Sequence, residues 1–152
     1  MADNPLYFYG HTKPDGEFSN FWPAPIEIDG KVWPTTEHYF QKEKFPHNPA
    51  YQEQIRYART PAIAKKMGST RLVKLRDDWE QVKDAVMDKA LRAKFTQHPE
   101  LREKLLATGE RPLVEHTVKD SYWADGGDGS GRNQLGKALC NLRDQLRREQ
   151  KD

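Results

Sequence analysis

The rhythm of apolar positions changes part-way along the chain. In the first third they come in short groups broken by proline and glycine, which predicts brief strands at residues 6–9, Ile26–Ile28 and Lys31–Trp33. The last two flank Asp29-Gly30, a pair suited to the positive φ angles of a tight hairpin. Thr35 and Thr36 each offer a hydroxyl to unpaired backbone N–H groups, so a helix is expected from there to about Phe45, with Pro46 and Pro49 limiting its extension. Thr60-Pro61 is a cap and first-turn pair for a short helix ending near Gly68, where a left-handed turn is tolerated. The strongest helical period covers residues 77–97. There Trp79, Val82, Val86, Ala90 and Ala93 recur three or four apart, and Met87, Leu91 and Phe95 widen the stripe into one broad packing face. His98-Pro99 breaks this helix, residues 100–108 read as another closed by Gly109, and Val114 marks a further strand. In the last helix Leu135, Leu139, Leu142 and Leu146 form the apolar side, opposite a solvated face of Arg143, Asp144, Arg147, Arg148 and Glu149. The expected fold is α+β and helix-dominated, with a small N-terminal β component.

Composition adds limits to this picture. Of the 16 aromatic residues, 12 precede residue 60, yet no repeat or linker divides the chain, so the contrast reads as two layers of one core in a single compact domain spanning 1–152. Leu, Ile, Val and Phe number only 28 of 152, but a net charge of +2 and the aromatic content point to a folded chain rather than a disordered one. No window approaches the ~18 apolar residues of a membrane helix, and residues 1–10 have neither the basic start nor the apolar run of a signal peptide; the expectation is a cytoplasmic protein away from membranes. The single Cys140 excludes an internal disulfide framework. His11, His38, His47, His98 and His116 have no metal-ligand spacing, so no metal is expected. The near-neutral charge argues against tight, charge-driven binding of long nucleic acid.

Two segments carry candidate chemistry. Turning residues 36–45 by about 100° per position puts Glu37, Gln41 and Lys44 on one face, bordered by Phe40 and Phe45, with Tyr39, Lys42 and Glu43 pointing the other way. Burying the two rings would carry a carboxylate and an amine into a cleft, where desolvation and mutual charge tune their protonation. By spacing alone an ordinary helical ion pair is the favoured reading. The second segment, residues 120–133, has four glycines within six residues and leads into the last helix. Read as a flexible loop, its backbone N–H groups and those of the helix start would surround a phosphate, aided by Arg132; read by composition alone, it is a surface turn. The closing Glu of a calcium loop and the third Gly of a dinucleotide fingerprint are both missing. Phe18, Phe21, Trp22, Trp79, Tyr122 and Trp123 are core residues or stacking surfaces, and Asn20 either closes a turn or meets a ligand's polar edge.

These motifs share a likeness. Phe18-Ser-Asn-Phe21, Trp33-Pro-Thr-Thr-Glu-His-Tyr-Phe-Gln41 with Lys44-Phe45, Trp79, Val86-Met87 with Ala90-Leu91, Tyr122-Trp-Ala-Asp-Gly126 and Gly131-Arg-Asn-Gln-Leu-Gly136 resemble, in order and interval, the NADAR or YbiA-like family over residues 7–146. The resemblance implies a compact α+β domain and N-glycosidase activity, on early phosphorylated riboflavin-synthesis intermediates or on ADP-ribosylated guanine. The family's usual Tyr-Trp-Gly-Asp-Gly here carries Ala124 in place of its first Gly, so a positive φ there is disfavoured.

The resemblance also implies roles. Glu37 and Lys44 match positions the family uses in catalysis, and the leading mechanism has neutral Lys44 engage ribose C1 as an imine with help from Glu37 before water releases the sugar. Direct displacement by water, with Glu37 or Asp125 as base, is the alternative. Trp79, Trp123 and Phe21 are expected to wall the heterocycle or sugar, and Asn20 to meet a polar edge. The loop 126–133, including Gly131, Arg132 and Asn133, is expected to hold phosphate or ribose. No metal, redox or other cofactor is called for. The implied partner is a small phosphorylated ribosylamine, an ADP-ribose-containing molecule or a modified nucleic acid, with the modest charge favouring the small metabolite. A non-catalytic ADP-ribose reader is the alternative of another class, against which the presence of both Glu37 and Lys44 argues. No oligomeric state is implied; a monomer is compatible with a stand-alone enzyme of this size.

Overall fold

Side-chain caps and prolines start most of the helices. The computed structural model describes residues 4–151; residues 1–3 and 152, the ends of the 1–152 span, lie outside the described residues. Along the chain run β1 (Leu6–Phe8), a 3-10 turn (Gly16–Phe18), β2 (Ile26–Ile28), β3 (Lys31–Trp33), α1 (Thr36–Lys42), α2 (Pro49–Arg56), α3 (Pro61–Gly68), α4 (Trp79–Gln97), α5 (Pro99–Ala107), β4 (Leu113–Glu115) and α6 (Gln134–Lys151). The α+β, helix-dominated expectation holds, with six α-helices against four three-residue strands among the described residues. None of these helices is long and apolar enough to cross a membrane. The chain packs as two compact units, one of Asn20–Lys94 and one of two segments whose described residues are 4–19 and 95–151, so the division does not follow the aromatic contrast near residue 60.

In the 20–94 unit, β2 and β3 form the expected antiparallel hairpin, with Ile26 opposite Trp33, and both Asp29 and Gly30 take positive φ (54° and 80°). Ile26, Ile28, Trp33, Tyr39 and Ala90 form its buried core, flanked by Val86 and Ala93 of the α4 stripe. A second cluster joins Phe45, Ile55 and Ala64. Here the structure corrects the reading twice. Helix α1 stops at Lys42, because Pro46 disfavours a helical Phe45, and two short turns follow instead: the Lys44 N–H donates to the Gln41 carbonyl at 3.2 Å and the Phe45 N–H to Lys42 at 3.0 Å. Residues 49–56, for which no element is expected from the sequence, are helical. The Asn48 side chain accepts the Tyr51 N–H at 3.0 Å and Pro49 takes the first turn, the same cap-and-proline start that Thr60-Pro61 supplies to α3.

His38, only 1% exposed, is fixed as the neutral Nε2–H form. Its Nε2 meets the Ala58 carbonyl at 3.0 Å, which can only accept, so Nδ1 must accept the Thr35 hydroxyl at 2.8 Å. Burial lowers its pKa, opposed by the Ala58 bond. As pH falls below the unfolded value of about 6.5, the unfolded chain takes up a proton that the folded chain refuses, so stability falls. Thermal melts from pH 7.5 to 5 are expected to show this decline, with a shallower slope in His38→Gln.

In the two-segment unit, β1 pairs in parallel with β4, Leu6 opposite Leu113, so the β structure is not confined to the N-terminal part. Phe18 packs between Phe8 (5.8 Å between ring centroids) and Phe95 (6.2 Å, stacked). The leucines of α6 are buried as expected. Its supposed solvated face is not uniform. Arg143 is 4% exposed and donates to the Thr108 hydroxyl at 2.9 Å and the Arg111 carbonyl at 2.7 Å. Arg147 donates to the Gly109 and Leu106 carbonyls and pairs with Glu110 at 2.9 Å. The end of α5 and the turn after it present carbonyls with no intrahelical partner, and the guanidinium groups satisfy them.

Candidate active site

In the 20–94 unit the chain places Glu37 in the first turn of α1. The Asn20 carbonyl accepts the Glu37 N–H at 3.2 Å, and the Thr36 hydroxyl donates to Asn20 Oδ1 at 2.7 Å. The Asn20 amide donates to the Met87 sulfur at 3.5 Å, so this buried side chain is engaged in anchoring α1 to α4. Glu37 is itself buried, and its Oε2 accepts the Gln41 Nε2–H at 2.5 Å. Phe21 is half-buried.

Lys44 stands two residues past the end of α1 but keeps company with Glu37. Its backbone is pinned by the Gln41 carbonyl and by the Arg76 N–H, which donates to Lys44 O at 3.0 Å. Its Nζ donates to the Gly68 carbonyl at 3.3 Å and lies 5.7 Å from the Trp79 ring and 6.0 Å from Phe40, two rings packed edge to face at 5.0 Å. Trp79 is buried beneath it. Phe45, expected to border the polar stripe, turns instead to Tyr51 and Ile55. Burial pushes the Lys44 ammonium below the ordinary lysine range; Glu37 opposes this, Lys65 reinforces it, Glu80 opposes it and Lys83 reinforces it. Such an amine loses its proton more readily than a free lysine, beside a carboxylate able to move one.

The other five predicted residues, Trp123, Asp125, Gly131, Arg132 and Asn133, belong to the two-segment unit. The loop is knitted rather than flexible. Asp120 Oδ1 accepts the Tyr122 and Trp123 N–H groups, both at 2.8 Å, and Asp128 Oδ1 accepts that of Ser130 at 2.9 Å. Asp125 Oδ1 accepts the N–H of Thr117 at 3.1 Å and of Gly127 at 2.8 Å, and its Oδ2 pairs with His116 Nδ1 at 2.7 Å. This pattern engages part of the expected amide cradle. The N–H groups of Gly131, Arg132, Asn133, Gln134 and Leu135 all donate to carbonyls of residues 121–125, at 2.8–3.1 Å, leaving none of these five for an anion. Gly131 is needed for that closeness, since a Cβ there would lie 2.5 Å from the Ala124 carbonyl oxygen. Asn133, at φ 52°, bridges the Glu115 N–H and the Leu113 carbonyl with its side chain. Trp123 is half-buried against Tyr122, and the exposed Arg132 guanidinium lies 5.6 Å from the Tyr122 ring. Ala124 is buried without positive φ; the left-handed turns fall at Gly126, Gly127 and Gly129, so the missing glycine costs the loop nothing at that position.

Residues 7–147 match the NADAR domain family. The chain belongs to the NADAR family. It is 53% identical over 146 residues to the Escherichia coli protein named N-glycosidase YbiA, covering 96% of this chain and 91% of that one. The NMR structure of the E. coli protein YbiA matches with a TM-score of 0.91 at 52% identity, over 100% of this chain and 90% of that one. A Vibrio vulnificus protein named riboflavin biosynthesis protein is 39% identical over 146 residues, a match that takes up 96% of this chain and 40% of that longer one. Two residues of this NADAR chain escaped assignment from sequence. Gln41 was placed on the polar face without a role, although its spacing of four from Glu37 signals a side-chain hydrogen bond. Gly68 was read as a left-handed helix end; its φ is not positive, and what it supplies is room for Gln41.

Proposed function

We propose that this NADAR chain is an N-glycosidase that hydrolyses the bond between ribose C1 and a heterocyclic amine in a phosphorylated ribosylamine of riboflavin biosynthesis. The names of its relatives support both the reaction and the metabolite class. The observation that carries the mechanism is the cluster in which half-buried Lys44, its pKa lowered by burial, is coupled electrostatically to buried Glu37. Glu37 in its acid form protonates the ring oxygen, opening the ribosylamine to an imine between C1 and the heterocyclic amine. The Lys44 Nζ adds to C1, a proton passes through Glu37 to the departing nitrogen, and the bond from C1 to that nitrogen breaks. C1 is left as an imine on Lys44; water adds to it, the bond from C1 to Nζ breaks, and the aldehyde sugar leaves with the amine regenerated. One water is consumed and no cofactor takes part.

Borohydride added during turnover is expected to leave one sugar phosphate reduced onto Lys44, identified by peptide mass spectrometry. Full turnover with no adduct at any borohydride concentration replaces the imine by direct attack of water. Run beside ADP-ribosylated guanine, the ribosylamine phosphate is expected to release its free amine faster; the reverse order moves the assignment to the ADP-ribosylated substrate.

A further inference from the structure

Gln41 is 4% exposed, and its two amide atoms meet opposite fates. Nε2 donates to Glu37 Oε2 at 2.5 Å, while the buried Oε1 has no hydrogen-bond partner. With Glu37 ionised, this orientation places a donor on the carboxylate, whereas the flipped amide would set two acceptor oxygens 2.5 Å apart. A glutamine present for packing alone would not carry an unpaired buried acceptor, which a leucine of similar size avoids. The amide is kept in place by Gly68, the last residue of α3, where an added Cβ would fall 1.7 Å from Gln41 Oε1 and 2.6 Å from its carboxamide carbon. The Gly68 carbonyl is also the acceptor of the Lys44 Nζ at 3.3 Å. One glycine therefore gives room to the group that holds the acid and anchors the amine.

We propose that Gln41, seated against Gly68, is a positioning residue that fixes the Glu37 carboxyl group through its amide N–H. A carboxylate oxygen that accepts the amide N–H is held in one orientation, so the group that moves the proton keeps its aim. The proposal rests on the reading of Glu37 as the proton-handling residue of an N-glycosidase.

The test uses the full-length protein, a ribosylamine phosphate as substrate, and Gln41→Leu, Gly68→Ala, Gly68→Ala/Gln41→Asn and Glu37→Gln. Gln41→Leu is expected to stay folded and lose roughly 10- to 100-fold in kcat with little change in KM, and to cost nothing further when added to Glu37→Gln. Gly68→Ala is expected to lose both melting temperature and kcat. Shortening the side chain in Gly68→Ala/Gln41→Asn removes the clash but leaves the amide out of reach of Glu37, so the melting temperature recovers and kcat does not. Recovery of kcat with the melting temperature, or independent multiplication of the Gln41→Leu and Glu37→Gln losses, overturns the positioning role. A readout without turnover separates this idea from the reaction: the Gln41 side-chain amide resonances should move when Glu37 titrates and stop moving in Glu37→Gln. If the wild-type protein cleaves no N-glycoside while those resonances follow Glu37, the reaction fails and the clamp stands; if they ignore Glu37, the clamp fails.

Discussion

Lys44→Met is expected to cut turnover roughly 10³-fold or more while leaving the fold intact, because methionine keeps the apolar stem against Phe40 and Trp79 and removes only the nitrogen. Glu37→Gln is expected to lose roughly 10²–10⁴-fold, the usual range for a positioned proton-transfer group. The wild-type pH profile adds a sign. Burial, opposed by Glu37 and aided by Lys65, lets Lys44 lose its proton at lower pH than a free lysine, so the limb of kcat/KM that reports this amine is centred below the ordinary lysine range. Lys65→Glu replaces a nearby positive charge with a negative one, favours the ammonium form, and moves that limb to higher pH. Steady-state kinetics on the three variants decide the matter: wild-type rates in Lys44→Met reject the covalent route, and a limb unmoved by Lys65→Glu assigns it to another group.

What the sequence made legible was local. Thr35, Thr60 and Pro61 announce helix starts because a cap acts within three residues, and the α4 stripe repeats over five turns. The shared face of Glu37, Gln41 and Lys44 was equally readable, and it survives the early end of α1 because the short turns after Lys42 keep Lys44 beside the helix. Asn48-Pro49 was legible in principle, having the same form as Thr60-Pro61, but proline taken as a stop hid a helix that begins with it. Non-local facts were out of reach. Nothing near Leu6 says that its partner is Leu113, since a parallel pair has no turn to mark it. A helical wheel sends Arg143 to water by default; what draws it inward is the end of another helix. Gly68 has one letter and two uses, and only the approach of Gln41 distinguishes a missing Cβ from a left-handed turn.

The loop residues show the same limit in a form that experiment can resolve. Asp125→Ala is expected to destabilise the protein by roughly 2–4 kcal/mol, since it strands the N–H groups of Thr117 and Gly127 and the His116 ring beside a removed acceptor. Asp125→Asn should cost much less: Oδ1 still accepts both N–H groups, and half-exposed His116 can present Nδ1 as an acceptor to the new amide. Against the cost of burial, His116 and the N–H groups of Gly127 and Thr117 hold the Asp125 carboxyl below the usual aspartate range. Its contribution is therefore present at pH above the unfolded value of about 3.9 and is lost only as pH falls through the lower folded one. Chemical denaturation of both variants measures the loss, and amide hydrogen exchange at residues 131–135 locates it, because those N–H groups depend on the carbonyls of the loop that Asp125 closes. Asp125→Ala that keeps full stability and slow exchange yet abolishes turnover would make this carboxylate a base in the reaction. Loss of stability in Ala with near-normal turnover in Asn makes it the clasp of the loop and leaves Glu37 as the group that moves protons.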